Sequence, residues 1–164
     1  MVAKKLTRWV DISAVLVLAA LSAAPVAANP ATGGRCPAGG DAITLSVDVE
    51  GVRSAKGTVT ISIYGDRPED FLAKGKKLGK VRLPAESGTV HGCLSLPHPG
   101  VYAFTAYHDE NEDRRFSRNF LGLPSEGFAV SNGNASLLGI PSFRESAVTI
   151  NGSNARITLM MQYP

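Results

Sequence analysis

The chain from residue 43 onward is dominated by period-two alternation of apolar and polar side chains. Ile43, Leu45, Val47 and Val49 alternate with Thr44, Ser46 and Asp48, which predicts a strand with one face in a core and one in water. Val59, Ile61 and Ile63 repeat the pattern around Thr60 and Ser62. Residues 101–107 differ, because both faces of the extended chain are apolar: Tyr102, Phe104 and Ala106 on one, Val101, Ala103 and Tyr107 on the other. A strand of that kind is covered on both sides and should be central, with Tyr102 and Phe104 in the core. Residues 81–83, 90–96, 126–130 and 147–150 are shorter β segments. Ile157, Leu159, Met161 and Tyr163 alternate with Arg156, Thr158, Met160 and Gln162 in a final strand, with Asn151-Gly152 before it as an expected hairpin turn. Seven or eight short strands without an amphipathic helix of useful length predict an all-β fold. The architecture expected is an antiparallel β-sandwich, immunoglobulin-like or transthyretin-like, with a small closed barrel as the alternative.

The connections carry their own expectations. Residues 67–79 read as a loop with at most one helical turn, in which Phe71 enters the core while Lys74, Lys76 and Lys77 form a solvated face. Pro97-His98-Pro99-Gly100 is a stiff turn with His98 as a turn residue. Residues 120–124 are expected to be irregular and pinned by apolar side chains. Residues 131–141 form a second long excursion whose far end Phe143 anchors.

Composition changes sharply before residue 42. Lys4, Lys5 and Arg8 precede an apolar run from residue 12 to 24, and Val26-Ala27-Ala28 supplies the small residues of a cleavage site, so residues 1–28 read as a signal peptide. The apolar run is shorter than the ~20 residues that span a bilayer, and no later stretch reaches that length, which argues against a transmembrane segment after cleavage. Residues 29–41, rich in Gly, Pro and Ala, read as a flexible tether, and 42–164 as a single sandwich domain. Loss of Lys4, Lys5, Arg8 and Asp11 with the leader lowers the formal charge of +3 by two, and there is no basic stripe interleaved with aromatics, which removes nucleic acid as a partner. Trp9, the one tryptophan, leaves with the leader. Cys36 and Cys93 are an even count in an exported chain and are expected to form a disulfide. A metal site built from them with His91 and His98 lacks a Cys-x-x-Cys pair. The protein is therefore expected in the periplasm or outside the cell, with an envelope ligand or protein as partner.

Candidate chemistry gathers behind the central strand, in His108-Asp109-Glu110-Asn111-Glu112-Asp113. Asp109, Asn111 and Asp113 occupy positions one, three and five of a calcium-loop pattern. Position six, ordinarily Gly, is Arg114, and position twelve, ordinarily a bidentate Glu, is Phe120, while Arg114, Arg115 and Arg118 oppose the carboxylates. Glu126 is a candidate to replace the missing carboxylate from outside the loop. The expectation is a loop ordered by Asp and Asn capping their own turn, without need of metal or other cofactor. No Gly-x-Ser-x-Gly elbow and no phosphate-binding Gly loop is present. Two functions follow: a non-catalytic binding or structural module that uses residues 108–126 and 131–142 for recognition, or a hydrolase using His108 with Asp109 and Glu126.

Taken in series, Pro99-Gly100-Val101-Tyr102-Ala103, His108-Asp109-Glu110-Asn111, Leu121-Gly122-Leu123-Pro124-Ser125-Glu126-Gly127 and Ser131-Asn132 resemble the exported bacterial family known as domain of unknown function 2141, over roughly residues 45–163. Members typically follow His-Asp-Glu-Asn with a Gly-containing Asn/Asp turn, where this chain has Glu112-Asp113-Arg114-Arg115. The resemblance implies an exported β-sandwich and brings no reaction with it.

Overall fold

A computed structural model describes residue 36 and residues 43–133, 141–152 and 154–164. The signal peptide, nearly all of the tether and most of the second excursion lie outside these residues. Eight strands form among the described residues: β1 (Ile43–Val52), β2 (Thr58–Tyr64), β3 (Gly79–Pro84), β4 (Gly88–Leu96), β5 (Gly100–Asp109), β6 (Gly127–Val130), β7 (Ala147–Ile150) and β8 (Ala155–Met160). A single turn of helix, α1 (Phe143–Ser146), precedes β7 and starts with a capping box in which Ser142 and Glu145 bond each other's backbone amides.

The strands make two sheets, β4-β1-β8 and β3-β2-β5-β6, and β7 pairs with β5 beside β6. β5 is central, as its two apolar faces predict. One of its edges carries β2 along residues 103–109, and the other is shared by β7 at residues 100–103 and β6 at residues 105–108. The alternating sets meet between the sheets: Leu45, Val47 and Val49 from β1, Val59, Ile61 and Ile63 from β2, Tyr102 and Phe104 from β5, all buried in one cluster. Gly92 on β4 keeps that contact close, since a Cβ there would lie 3.0 Å from Leu83 and 3.1 Å from Ile61. The predicted sandwich and its central strand are therefore present.

Three local expectations are overturned. Asn151-Gly152 does not close a hairpin: β7 joins β5 in one sheet, while β8 crosses to the other and runs parallel to β1 from residue 155 to 160. The Asn-Gly pair permits a tight reversal but does not choose the partner, and the open edge of β1 takes β8, helped by the Asn154 amide donating to the Thr44 carbonyl. Phe71 does not enter the core between the sheets. It stands edge-on to Tyr64 and Phe143, 5.3 and 5.9 Å away, because Tyr64 faces outward from β2 and the loop after it folds back over that outer face. The segment 120–124 is not pinned by apolar side chains either, since Phe120 is 95% exposed and Leu121 67%. Its backbone is held by Asn119, whose side-chain oxygen accepts from the amides of Leu121 and Leu123, and whose backbone bonds Leu123 and Gly122.

The disulfide Cys36–Cys93 is formed, with Cα atoms 5.5 Å apart. Cys93 pairs with Ser46 across β4 and β1, so the bridge sits on the outer face of the three-stranded sheet. Tether residue 36 is thereby fastened to the sandwich.

Candidate functional site: the acidic loop behind the central strand

Strand alternation decides the geometry at the end of β5. Successive side chains point to opposite faces, so His108 follows Tyr102, Phe104 and Ala106 inward while Asp109 turns outward. His108 is fully buried, with both ring nitrogens occupied. Nε2 lies 2.8 Å from the Lys56 carbonyl, which can only accept, so this nitrogen carries a proton. Nδ1 accepts from the Tyr163 hydroxyl at 2.8 Å, and that oxygen in turn accepts from the Arg53 amide at 3.0 Å. The histidine thus ties together the β1–β2 turn, the end of β5 and the C-terminal segment. Two glycines make room for the tie: a Cβ on Gly127 would sit 2.2 Å from the Tyr163 ring, and one on Gly57 would sit 1.9 Å from the Asp109 carbonyl oxygen.

On the outward side Asp109, also fully buried, organises the loop. Its two oxygens accept from the amides of Asp113 (3.1 Å) and Arg114 (2.8 Å), while Asn111 and Asp113 accept from the amides of Asp113 and Arg115. This is the self-capped turn expected from the sequence. Two of the departures from the calcium-loop pattern take a definite form here. Arg114 at position six makes the left-handed turn that Gly would make, with φ +64°, and Glu112 has φ +58°. Such conformations are strained for residues with a Cβ, by roughly 1–2 kcal/mol each. The arginines also do not pair with these carboxylates: Arg118 donates to the Gly122 carbonyl and lies over the Phe116 ring, and Arg114 lines a cavity over the outward rows of β2 and β5. Backbone amides, not guanidinium groups, hold the negative charge.

Glu126 reaches in from the start of β6, as the sequence suggested. Carboxylate oxygens of Asp109, Asp113 and Glu126 lie within 4.8 Å of one another, and Ser117 N–H donates to Glu126 at 3.0 Å. Burial first, and then repulsion from Asp109, Asp113 and Glu110, pushes the Glu126 carboxyl above its ordinary range; the Ser117 amide opposes this. Chemically, three converging carboxylates can surround a hard cation or share a proton on Glu126. Asn111 is engaged by its own loop, its amide donating to Asp113. Glu110, next to the cluster, belongs to another pair: the Arg53 guanidinium holds its carboxyl down at about 2 against the effect of burial, with help from the Ser54 hydroxyl.

The structure therefore brings Asp109, Asp113 and Glu126 together, leaves Asn111 at the rim, and separates His108 from all of them by the thickness of the sheet. Sequence reasoning did not find Tyr163 or Lys56 as partners of His108. Alternation of the last strand signals only that Tyr163 points inward, and a backbone carbonyl leaves no mark in a sequence.

Two packed sheets of short strands, with an acidic, self-capped loop leaving the central strand, define an all-β sandwich. The chain belongs to the family described as an uncharacterized protein conserved in bacteria, DUF2141, whose match covers residues 47–158 and so runs from β1 through the acidic loop to β8. No curated protein and no solved structure matches it.

Proposed function

We propose that this is an exported, non-catalytic binding module of the bacterial envelope whose recognition surface is the loop 110–126. The observation that carries this reading is the tip of that loop. Phe120 and Leu121 are held out to solvent on a backbone closed by four hydrogen bonds to and from Asn119 and braced by the Arg118–Pro124 bridge. Folding gains nothing from adjacent apolar side chains left in water, and a hydrogen-bonded loop that presents Phe120 beside Leu121 is suited to contact with a partner. The split at the end of β5 supports the non-catalytic half: the hydrolase alternative has Asp109 and Glu126 together, but its proton-transfer group, His108, is buried on the opposite face with both nitrogens engaged. The disulfide supports export, because such bonds persist in oxidising compartments. On this reading the mature chain starts at Asn29 and functions in the periplasm or the medium.

A photo-cross-linking amino acid at position 120, expressed in the native host, tests the reading. Discrete adducts from position 120, absent when the same group replaces exposed Glu86 in the β3–β4 turn, are expected. Adducts from both positions or from neither contradict it.

A second reading of the same loop follows from the convergence of Asp109, Asp113 and Glu126: the cluster takes a divalent cation, calcium being the hard ion suited to three carboxylates. At a hundred times its dissociation constant a ligand adds ~2.7 kcal/mol. This reading requires millimolar calcium to raise the melting temperature of the wild type and not of Asp109→Ala. Equal melting in calcium and in chelator removes it.

A further inference from the structure

Beyond the loop tip, we propose that the outer face of the five-stranded sheet holds a binding site for a small acidic sugar, a ring bearing hydroxyls and one carboxylate or phosphate. A cavity of about 520 Å³ lies there, lined by the loop after β2 and by Arg114, Phe116 and Arg118 of the loop 110–126. Small-molecule sites fall in the ~300–1,000 Å³ range. Its floor is the outward row of β2 and β5, with Thr60, Ser62, Thr105 and Tyr107 supplying hydroxyls and Phe116 and Phe128 forming an aromatic side wall.

Three features point to the ligand. The first is charge: Lys74, Lys77, Lys80, Arg114 and Arg118 line the cavity, and no Asp or Glu does. The chain as a whole is only +3, so this is a local excess of positive charge, with the converging carboxylates of Asp109, Asp113 and Glu126 outside the lining. Among the described residues Lys74, Lys77, Lys80 and Arg114 make no ion pair. A concave site lined by one sign of charge focuses its field and concentrates the opposite ion. Burial, and then Lys80, press the Lys77 ammonium below its ordinary range, a strain that an anion would relieve.

The second feature is Ser62. It is 1% exposed, lines the cavity, and its hydroxyl makes no hydrogen bond among the described residues, whereas its neighbour Thr60 accepts from Arg82. A hydroxyl on the cavity lining without a protein partner has a free donor and two acceptor sites to offer. The third is the pairing of hydroxyls with rings. Hydroxyls both donate and accept, as sugar hydroxyls require, and the Phe116 and Phe128 rings in the lining, Phe116 with Arg118 over it, supply apolar surface for the C–H face of a ring.

Titration of labelled protein with glucuronate, glucose 6-phosphate and neutral glucose, followed by amide chemical shifts, is the test. One or both acidic sugars should move the resonances of Ser62, Thr105 and Phe116 with a dissociation constant in the millimolar range or below, and glucose should not. Which acidic sugar binds more tightly identifies a carboxylate or a phosphate as the recognised group. Binding should weaken about tenfold or more in Lys77→Gln/Arg114→Gln, and Ser62→Ala should reduce it with no fall in melting temperature. Absence of shifts at these residues, equal shifts with glucose, or undiminished binding by the charge variant overturns the site. The cross-linking at position 120 is unaffected by any of these outcomes, so the two readings fail separately.

Discussion

The two outer faces of this sandwich are finished in different ways. On the three-stranded sheet the exposed row is closed by direct side-chain links: the Cys36–Cys93 bridge, and Asp48, which takes His91 Nδ1 at 2.8 Å and Arg156 Nη1 at 2.7 Å. On the five-stranded sheet the corresponding row is covered by loops, and the cover leaves a cavity over Thr60 and Ser62. Linked side chains tie the strands of that face directly to one another. Loops on a rigid sheet leave space, and they carry their charges and apolar tips where a partner can reach them. The stabilising devices and the candidate recognition surfaces therefore lie on opposite sides of one core.

The largest effect should come from the linked face. Replacing both Cys36 and Cys93 with Ser releases a loop spanning 57 positions, and loss of such a bridge is worth about 4 kcal/mol in the chain-entropy treatment. Chemical denaturation should register that loss, while amide shifts of Ser62 and Thr105 on the loop-covered face should stay in place. If those resonances collapse as well, the two faces are not independent.

Next is the junction where the loop-covered face meets the core. Gly57→Ala forces a Cβ against the Asp109 carbonyl at a backbone position with φ +69°, so the turn must move; about 3 kcal/mol of destabilisation is expected. Denaturation midpoints check it, and a change below about 0.5 kcal/mol would show that the turn does not hold Asp109.

The smallest effects concern pH and should have opposite signs on the two faces. Burial pushes the Asp48 carboxyl up, but the hydrogen bonds from His91 and Arg156 outweigh it and the net shift is downward. Its contribution is therefore present above the unfolded value near 3.8 and is lost as pH falls through the lower folded value. With both partners half-exposed, Asp48→Asn should remove only about 1 kcal/mol at pH 7. Glu126 is shifted upward, so its protonated form favours the fold, and a penalty develops as pH rises from about 4.5 through the raised value. Glu126→Gln, measured in chelator, should be neutral to stabilising at pH 7, because an amide oxygen can still accept from Ser117. Destabilisation by both variants would mean that the carboxylate cluster is held by something other than the backbone amides.

What could be read in advance follows from range. Period-two alternation is local, and it located β1, β2 and β5 and their inward residues, Phe104 among them, because a half-buried strand leaves that mark directly. Thr60 and Ser62 look like solvent positions by the same logic, yet they are 1% exposed, since what covers them comes from loops distant in sequence. Apolarity alone suggests Phe71 in the core and residues 120–124 pinned by apolar side chains, yet Phe71 packs on an outer face and Phe120 faces water. Asn151-Gly152 specified a reversal without specifying a partner, so β8 was placed beside the wrong strand. In the acidic loop the self-capping by Asp109 and Asn111 was legible from residue type and spacing. The partners of Arg118, the Gly122 carbonyl and the Phe116 ring, were not, because they depend on how the loop backbone folds back on itself.

Whether His108 is a structural tie or a proton-transfer group can be read directly from its ring nitrogens. Long-range ¹H–¹⁵N correlation of histidine-labelled protein at neutral pH should find His108 as the Nε2–H tautomer, with a ring N–H protected from solvent exchange and a contact to the Tyr163 ring. Tyr163→Phe should remove the hydrogen bond to Nδ1 and loosen that protection without altering the capped turn at Asp109. A His108 ring that exchanges freely with water, or that contacts Asp109 or Glu126, would contradict the account and return the loop to the hydrolase reading.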